Sequence, residues 1–92
     1  MHWKTELAFD VTPKSGPMRP MATLLDVSHA MLDDLSSSYR RQAHWRRAGK
    51  LLLVAAETGA ELDVLAATEA LLNALVAEGW MTRRARNGSS MK

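Results

Sequence analysis

Cysteine is absent from the 92 residues. That removes a disulfide framework and thiolate metal sites and leaves packing as the source of stability. Long apolar runs are missing as well. The longest, LLLVAA at 51 to 56, is far short of the roughly 20 residues that span a bilayer. The N-terminal MHWKTELAF carries Glu6 and no apolar core of an export signal. These absences lead to the expectation of a soluble cytoplasmic chain without membrane partners. No internal repeat is visible, and no glycine-rich loop of the phosphate-cradling kind occurs. His2, His29 and His44 fall in three separate segments without paired ligand spacing, so neither a metal nor a cofactor is expected.

What is present is an ordinary globular composition, 47% apolar and 24% charged. Chains of this size bury only about 60 to 65% of their unfolded surface, which leaves room for one domain, assigned to residues 1 to 82. RRARNGSSMK at 83 to 92 has no apolar periodicity and is expected to be a disordered basic tail. The net charge of +2 conceals an asymmetry. Nine of the twelve basic residues lie in two segments: Arg40, Arg41, Arg46, Arg47 and Lys50 in the first, Arg83, Arg84, Arg86 and Lys92 in the second. The rest of the chain holds three basic residues against all ten carboxylates. Such a layout either steers an anionic partner or is the solvated charge of helical surfaces.

TELAFDV at 5 to 11 alternates strictly, with Leu7, Phe9 and Val11 on one side, and predicts a half-buried strand. TPKSGP is a turn, and MRPMAT supplies the returning arm of a hairpin, kept short by Pro20. Thr23, with Asp26 three residues on, opens a first helix over 24 to 35 that buries Leu24, Val27, Met31 and Leu35. Serines 36 to 38 break it and cap a second helix over 39 to 57, whose buried stripe is Trp45, Ala48, Leu52, Ala55 and Ala56. On its exposed side Arg40, His44 and Arg47 form one line and Arg46 with Lys50 another. Gly49 inside this helix hints at a close backbone contact. Gly59 ends the helix. A third helix, capped by Thr58 or by Asp63, runs to Gly79 with Val64, Leu65, Leu71, Leu72, Leu75 and Val76 on a broad apolar face. Trp80 and Met81 are expected to fold back onto the core. The fold class is therefore α+β, a short antiparallel β-hairpin packed on three α-helices in the order ββααα.

In that order the chain resembles a small alphaproteobacterial family catalogued as domain of unknown function nine hundred and eighty-two, over about residues 3 to 80. Trp3 stands before the first strand, and Gly16 and Arg19 lie around the second. Asp26 and Ala30 fall in the first helix, and two alanine-bearing helices meet near Gly59. SSSY replaces a Trp-Pro step after the first helix, and the second helix lacks a cysteine often found there. The resemblance implies a hairpin on three helices and no established activity.

ALVAEGWMTRRARNG at 74 to 88 invites a sharper reading, the end of a recognition helix followed by a basic wing. Against it, no turn signal interrupts ELDVLAATEALLNALVAEG, and only SSMK follows Asn87-Gly88 where a wing needs a returning strand. Catalysis has as little support. His29 and Asp33 are spaced as a base and its orienter, with Ser36 to Ser38 nearby, but a surface hydrogen bond and a capping serine account for them equally. Trp45 amid RRQAHWRR suits either base stacking or a core anchor, and the anchor is the commoner use. The sequence thus points to a small noncatalytic binding or interaction module that engages another protein or a second copy in a homodimer. The rival is a nucleic-acid-binding regulator using Arg40, Arg41, Arg46, Arg47, Lys50, Arg83, Arg84 and Arg86.

Overall fold

The structure, a computed structural model, describes residues 1 to 82. The expected disordered tail, and with it Arg83, Arg84 and Arg86, lies outside the described residues. A two-stranded antiparallel sheet, β1 (Glu6–Val11) and β2 (Met21–Thr23), precedes four helices: α1 (Leu24–Asp33), α2 (Ser37–Arg40), α3 (Ala43–Thr58) and α4 (Glu61–Ala77). The mixed α+β architecture agrees with the sequence, with one helix more than expected. No helix among the described residues is long and apolar enough to cross a membrane.

The strands are unequal. Glu6 pairs with Thr23 and Val11 with Met21, so six residues of β1 answer three of β2 and the ladder is irregular between these pairs. Leu7 and Val11 reach the core as the alternation predicts, but Phe9, in the irregular stretch, is 42% exposed. The amide of Ala8 donates instead to the hydroxyl of buried Thr68, 3.1 Å away. That hydroxyl in turn donates to the Val64 carbonyl at 2.7 Å. Thr68 thus enters the core with its polar atom satisfied and ties β1 to the middle of α4.

Helix α1 opens with the capping box that Thr23 and Asp26 announce, each side chain bonded to the other's backbone amide. The second expected helix is in fact two, α2 and α3, separated at Arg41 and Gln42. Tyr39 and Trp45 both pack on the Trp80 ring, whereas one continuous helix would point them roughly 120° apart. Gln42, with extended backbone, starts α3 afresh. The stripe of α3 is as read from the sequence: Trp45, Ala48, Leu52, Ala55 and Ala56 are buried. Gly49 is under no close constraint, since a Cβ there would only touch the Met31 methyl at 3.6 Å.

Gly59 is left-handed, with φ of 65°, and turns the chain into α4. Neither expected cap starts α4. Ala60 holds that position, and the Thr58 hydroxyl donates across the joint to the Asp63 carboxylate at 2.7 Å. Helix α4 is continuous from Glu61 to Ala77, so no helix-turn-helix break occurs near Ala67. Its interior face is richer in small residues than the leucine pattern suggests: Val64, Ala67, Thr68, Ala70, Leu71, Ala74 and Leu75 are buried, while Leu65, Leu72 and Val76 are half-buried. The small residues let α3 and α4 lie close along their length.

Leu75, fully buried, and Leu72, half-buried, therefore separate in a mutational test. Leu75→Ala should cost about 2 to 5 kcal/mol, and Leu72→Ala about 1 kcal/mol, measured by denaturant unfolding. Equal losses would refute the orientation of α4.

Candidate functional site

Two ends of the α3–α4 pair differ in character. At the end where α4 stops, one oxygen of Glu78 accepts from the buried Trp45 indole N–H at 2.9 Å and lies 2.8 Å from His44 Nε2. The Trp80 ring sits against Trp45 and, edge-on, against Tyr39, at centroid separations of 6.1 and 5.2 Å. The Trp80 carbonyl accepts from the amides of Lys14 and Ser15. Gly16 closes over the indole, where a Cβ would fall 2.5 Å from ring carbons. Trp45 is 1% exposed, so it is a core anchor and presents no face for stacking a base. This end is occupied by its own side chains, and His44 is drawn off the exposed line on which the sequence placed it.

The basic residues of the first segment divide. Arg40 does not stand in solvent beside Arg47. Its Nη1 donates to the carbonyls of Met31, Leu32 and Leu35, at 3.1, 3.2 and 2.8 Å. It thus satisfies the acceptors left over where α1 ends. Arg46, Arg47 and Lys50 remain exposed and, with Ala43, line one depression on α3. Arg41 is exposed outside that depression. His29 and Asp33, the catalytic pair allowed by spacing, are not hydrogen-bonded to one another among the described residues. Asp33 lies instead 3.8 Å from Arg19, and the Ser36 and Ser38 hydroxyls bond each other at 2.9 Å.

At the opposite end a cleft opens between β1 and the first turns of α4. Thr5, Glu6, Leu7 and Ala8 form one wall; Glu61, Leu62, Val64 and Leu65 form the other, and Gly59 lies between them. Ala8, on the first wall, is tied to α4 through Thr68. Its volume of about 590 Å³ falls within the ~300 to 1,000 Å³ of ordinary ligand clefts. Leu62 is 77% exposed at its mouth. The sequence reading missed this site, although one signal was available. Leu62 precedes Glu69 by seven residues and Asn73 by eleven, which sets a leucine on the polar face of α4.

Of the carboxylates outside the cleft, Asp26, Asp33, Asp34, Asp63 and Glu78 are engaged by hydrogen bonds or ion pairs, whereas Asp10, Glu57 and Glu69 have none among the described residues. Asp34 holds Arg19 through two guanidinium contacts, at 2.7 and 2.8 Å, and through the Arg19 backbone amide at 3.1 Å. The Arg19 side-chain hydrogen bond holds the Asp34 pKa below its ordinary value and raises that of Arg19. The Ala22 amide, seconded by Thr23, lowers Asp26 likewise. Glu6 and Glu61, on the two walls of the cleft, have no hydrogen bond or ion pair among the described residues. No group of three or more metal-ligating side chains occurs among the described residues. No protein-family model, curated protein or solved structure matches the chain, so function is read from these side chains themselves.

Asp26 and Asp34, depressed in the folded state, contribute stability that is fully present above the ordinary carboxylate pKa, about 4. That contribution is lost as pH falls through their lowered values. Thermal melts should therefore be flat near neutrality and decline below about pH 4. Asp34→Asn should melt lower at pH 7 and decline less on acidification, the two curves converging in acid. Parallel curves would show that the Arg19–Asp34 contact contributes nothing to folding.

Proposed function

We propose that this chain is a noncatalytic interaction module that engages another protein through the cleft between β1 and α4. One observation carries the reading: Leu62, 77% exposed at the mouth of the cleft, with half-buried Leu65 one turn further on. A large apolar side chain left in water adds nothing to folding, and beside a concave apolar wall it offers an anchor for a partner. Met1, Phe9, Leu32 and Leu53 are exposed as well, but of these large apolar side chains Leu62 is the one that lines the cleft. The resemblance to the family of domain of unknown function nine hundred and eighty-two belongs to the same proposal. Two strands preceding alanine-bearing helices support it, and it brings no activity of its own.

A second reading is favoured by one separate observation, the grouping of Arg46, Arg47 and Lys50 around a single depression. Three exposed cations there suit phosphate contacts without base recognition, since Trp45 is buried and α4 is unbroken.

A photo-crosslinking residue placed at Leu62, with the same residue at exposed Glu69 as control, separates the two readings. In cells producing the chain, position 62 should yield a protein adduct of defined mass that position 69 does not. The identified partner, once purified, should bind the parent chain and lose that binding to Leu62→Asp. A duplex DNA titration complements it, with binding no tighter than about 10⁻⁴ to 10⁻⁶ M at physiological salt expected of incidental phosphate contact. Submicromolar duplex binding abolished by reversing Arg46, Arg47 and Lys50, with no adduct at 62, would transfer the function to the basic face.

A further inference from the structure

We infer that the cleft takes a short segment of a partner polypeptide in which an apolar side chain is flanked by lysine or arginine; this rests on the cleft being the docking site proposed above. Shape and charge specify the occupant together. Beside Ala8 the cleft is bounded by the hydrogen bond to Thr68, and its volume of about 590 Å³ is of the size that takes a short segment. Leu7, Ala8, Leu62, Val64 and Leu65 make the lining apolar, and its charged members are Glu6 and Glu61 with no lysine or arginine among them.

The two carboxylates are placed differently in the chain and have different reasons to be there. Glu61 lies in the first turn of α4, where an acidic residue complements the helix dipole. Glu6 begins β1, where no such reason applies. It faces the same opening from the other wall, and neither carboxylate has an internal cation among the described residues. An apolar side chain entering between them removes Leu62 and Leu65 from water, and basic neighbours on either side of it meet Glu6 and Glu61 at the rim. Rim charges of this kind steer encounter and select partners more than they add affinity.

The same charges argue against a symmetric dimer through the cleft. A two-fold contact brings each patch onto its own copy, and would gather two Glu6 and two Glu61 carboxylates at one interface, like charges that cost affinity.

The test uses the full chain, labelled with ¹⁵N, and three capped pentapeptides that alternate leucine with lysine, glutamine or glutamate. A fourth probe is a peptide of residues 83 to 92. The lysine–leucine peptide should shift amides of residues 5 to 8 and 61 to 65. It should bind about tenfold tighter than the glutamate–leucine peptide, the difference that two exposed charge pairs supply on changing from repulsive to attractive. Glu6→Lys with Glu61→Lys should reverse that preference without altering the far-ultraviolet spectrum. Equal binding of the three peptides at these residues would overturn the charge assignment and leave the cleft as a docking site. So would an adduct at position 62 accompanied by no peptide binding at all. Binding of the 83 to 92 peptide as tight as the lysine–leucine probe would assign the cleft to the chain's own end, and the partner inference would fall. Absence both of peptide shifts and of a crosslinked adduct at position 62 would remove the docking site itself.

Discussion

One carboxylate oxygen at the end of α4 organises much of the structure. Glu78 accepts the indole N–H of Trp45, a residue 1% exposed whose donor would otherwise be buried without a partner. With Trp45 fixed, Trp80 has a surface to rest on. With Trp80 fixed, its carbonyl holds the amides of Lys14 and Ser15 and its ring requires glycine at 16. The hairpin loop, the start of α3 and the end of α4 are thereby joined at a single point. Tyr39 packs on the same ring, and the chain breaks between α2 and α3 to let it do so. A thin domain without disulfides needs such a junction, because two short strands bury too little to hold themselves together.

The other junction is smaller and serves differently. Thr68 meets Ala8 in the middle of α4, and beyond it toward Glu61 the helix and β1 separate. At that end the His2 ring lies against Gly59, where a Cβ would fall 2.7 Å from it, and the His2 amide donates to the Ala56 carbonyl. The fold is closed firmly at one end of the α3–α4 pair and left open at the other. That asymmetry follows from where the large side chains fall: Tyr39, Trp45 and Trp80 cluster at one end, while the walls of the cleft carry no aromatic residue. An exposed leucine at the open end is tolerated because the closed end and the alanine-rich helix contact supply the stability.

How much of this could be read from the sequence follows from the range over which each interaction acts. The Thr23 capping box, the stripe of α3 and the turn at Gly59 depend on residues a few positions apart, and periodicity discloses them. Arg40 looked like surface charge because its partners are carbonyls of the preceding helix, and backbone acceptors leave no mark in a sequence. Burial of Trp45 is legible from the stripe, but the acceptor of its indole N–H is not, because Glu78 is 33 residues away. Leu72 reads as interior because leucine is more often buried than alanine, yet the buried face of α4 is made largely of small side chains, Ala67, Ala70 and Ala74 among them. The cleft was the least legible feature, since it exists only where two distant segments fail to meet. Leu62 on a polar helix face was its single trace.

Charge shows why the two exposed faces are separable. Once Arg19 is spent on Asp34, Arg40 on the carbonyls of α1, and Glu78 on Trp45, the remaining cations of the first basic segment gather near the start of α3. Of the cleft's carboxylates, Glu61 lies just past the joint that ends α3 and Glu6 at the start of β1. Along α3 at 1.5 Å per residue, Gly59 lies about 20 Å from Arg46 and about 14 Å from Lys50, both beyond the Debye length of ~8 to 10 Å at physiological ionic strength. Neither face feels the other strongly at that distance in salt, and neither shares a hydrogen-bonded side chain with the other. On the reading proposed above, a partner held at the cleft would leave Arg46, Arg47 and Lys50 exposed to solvent.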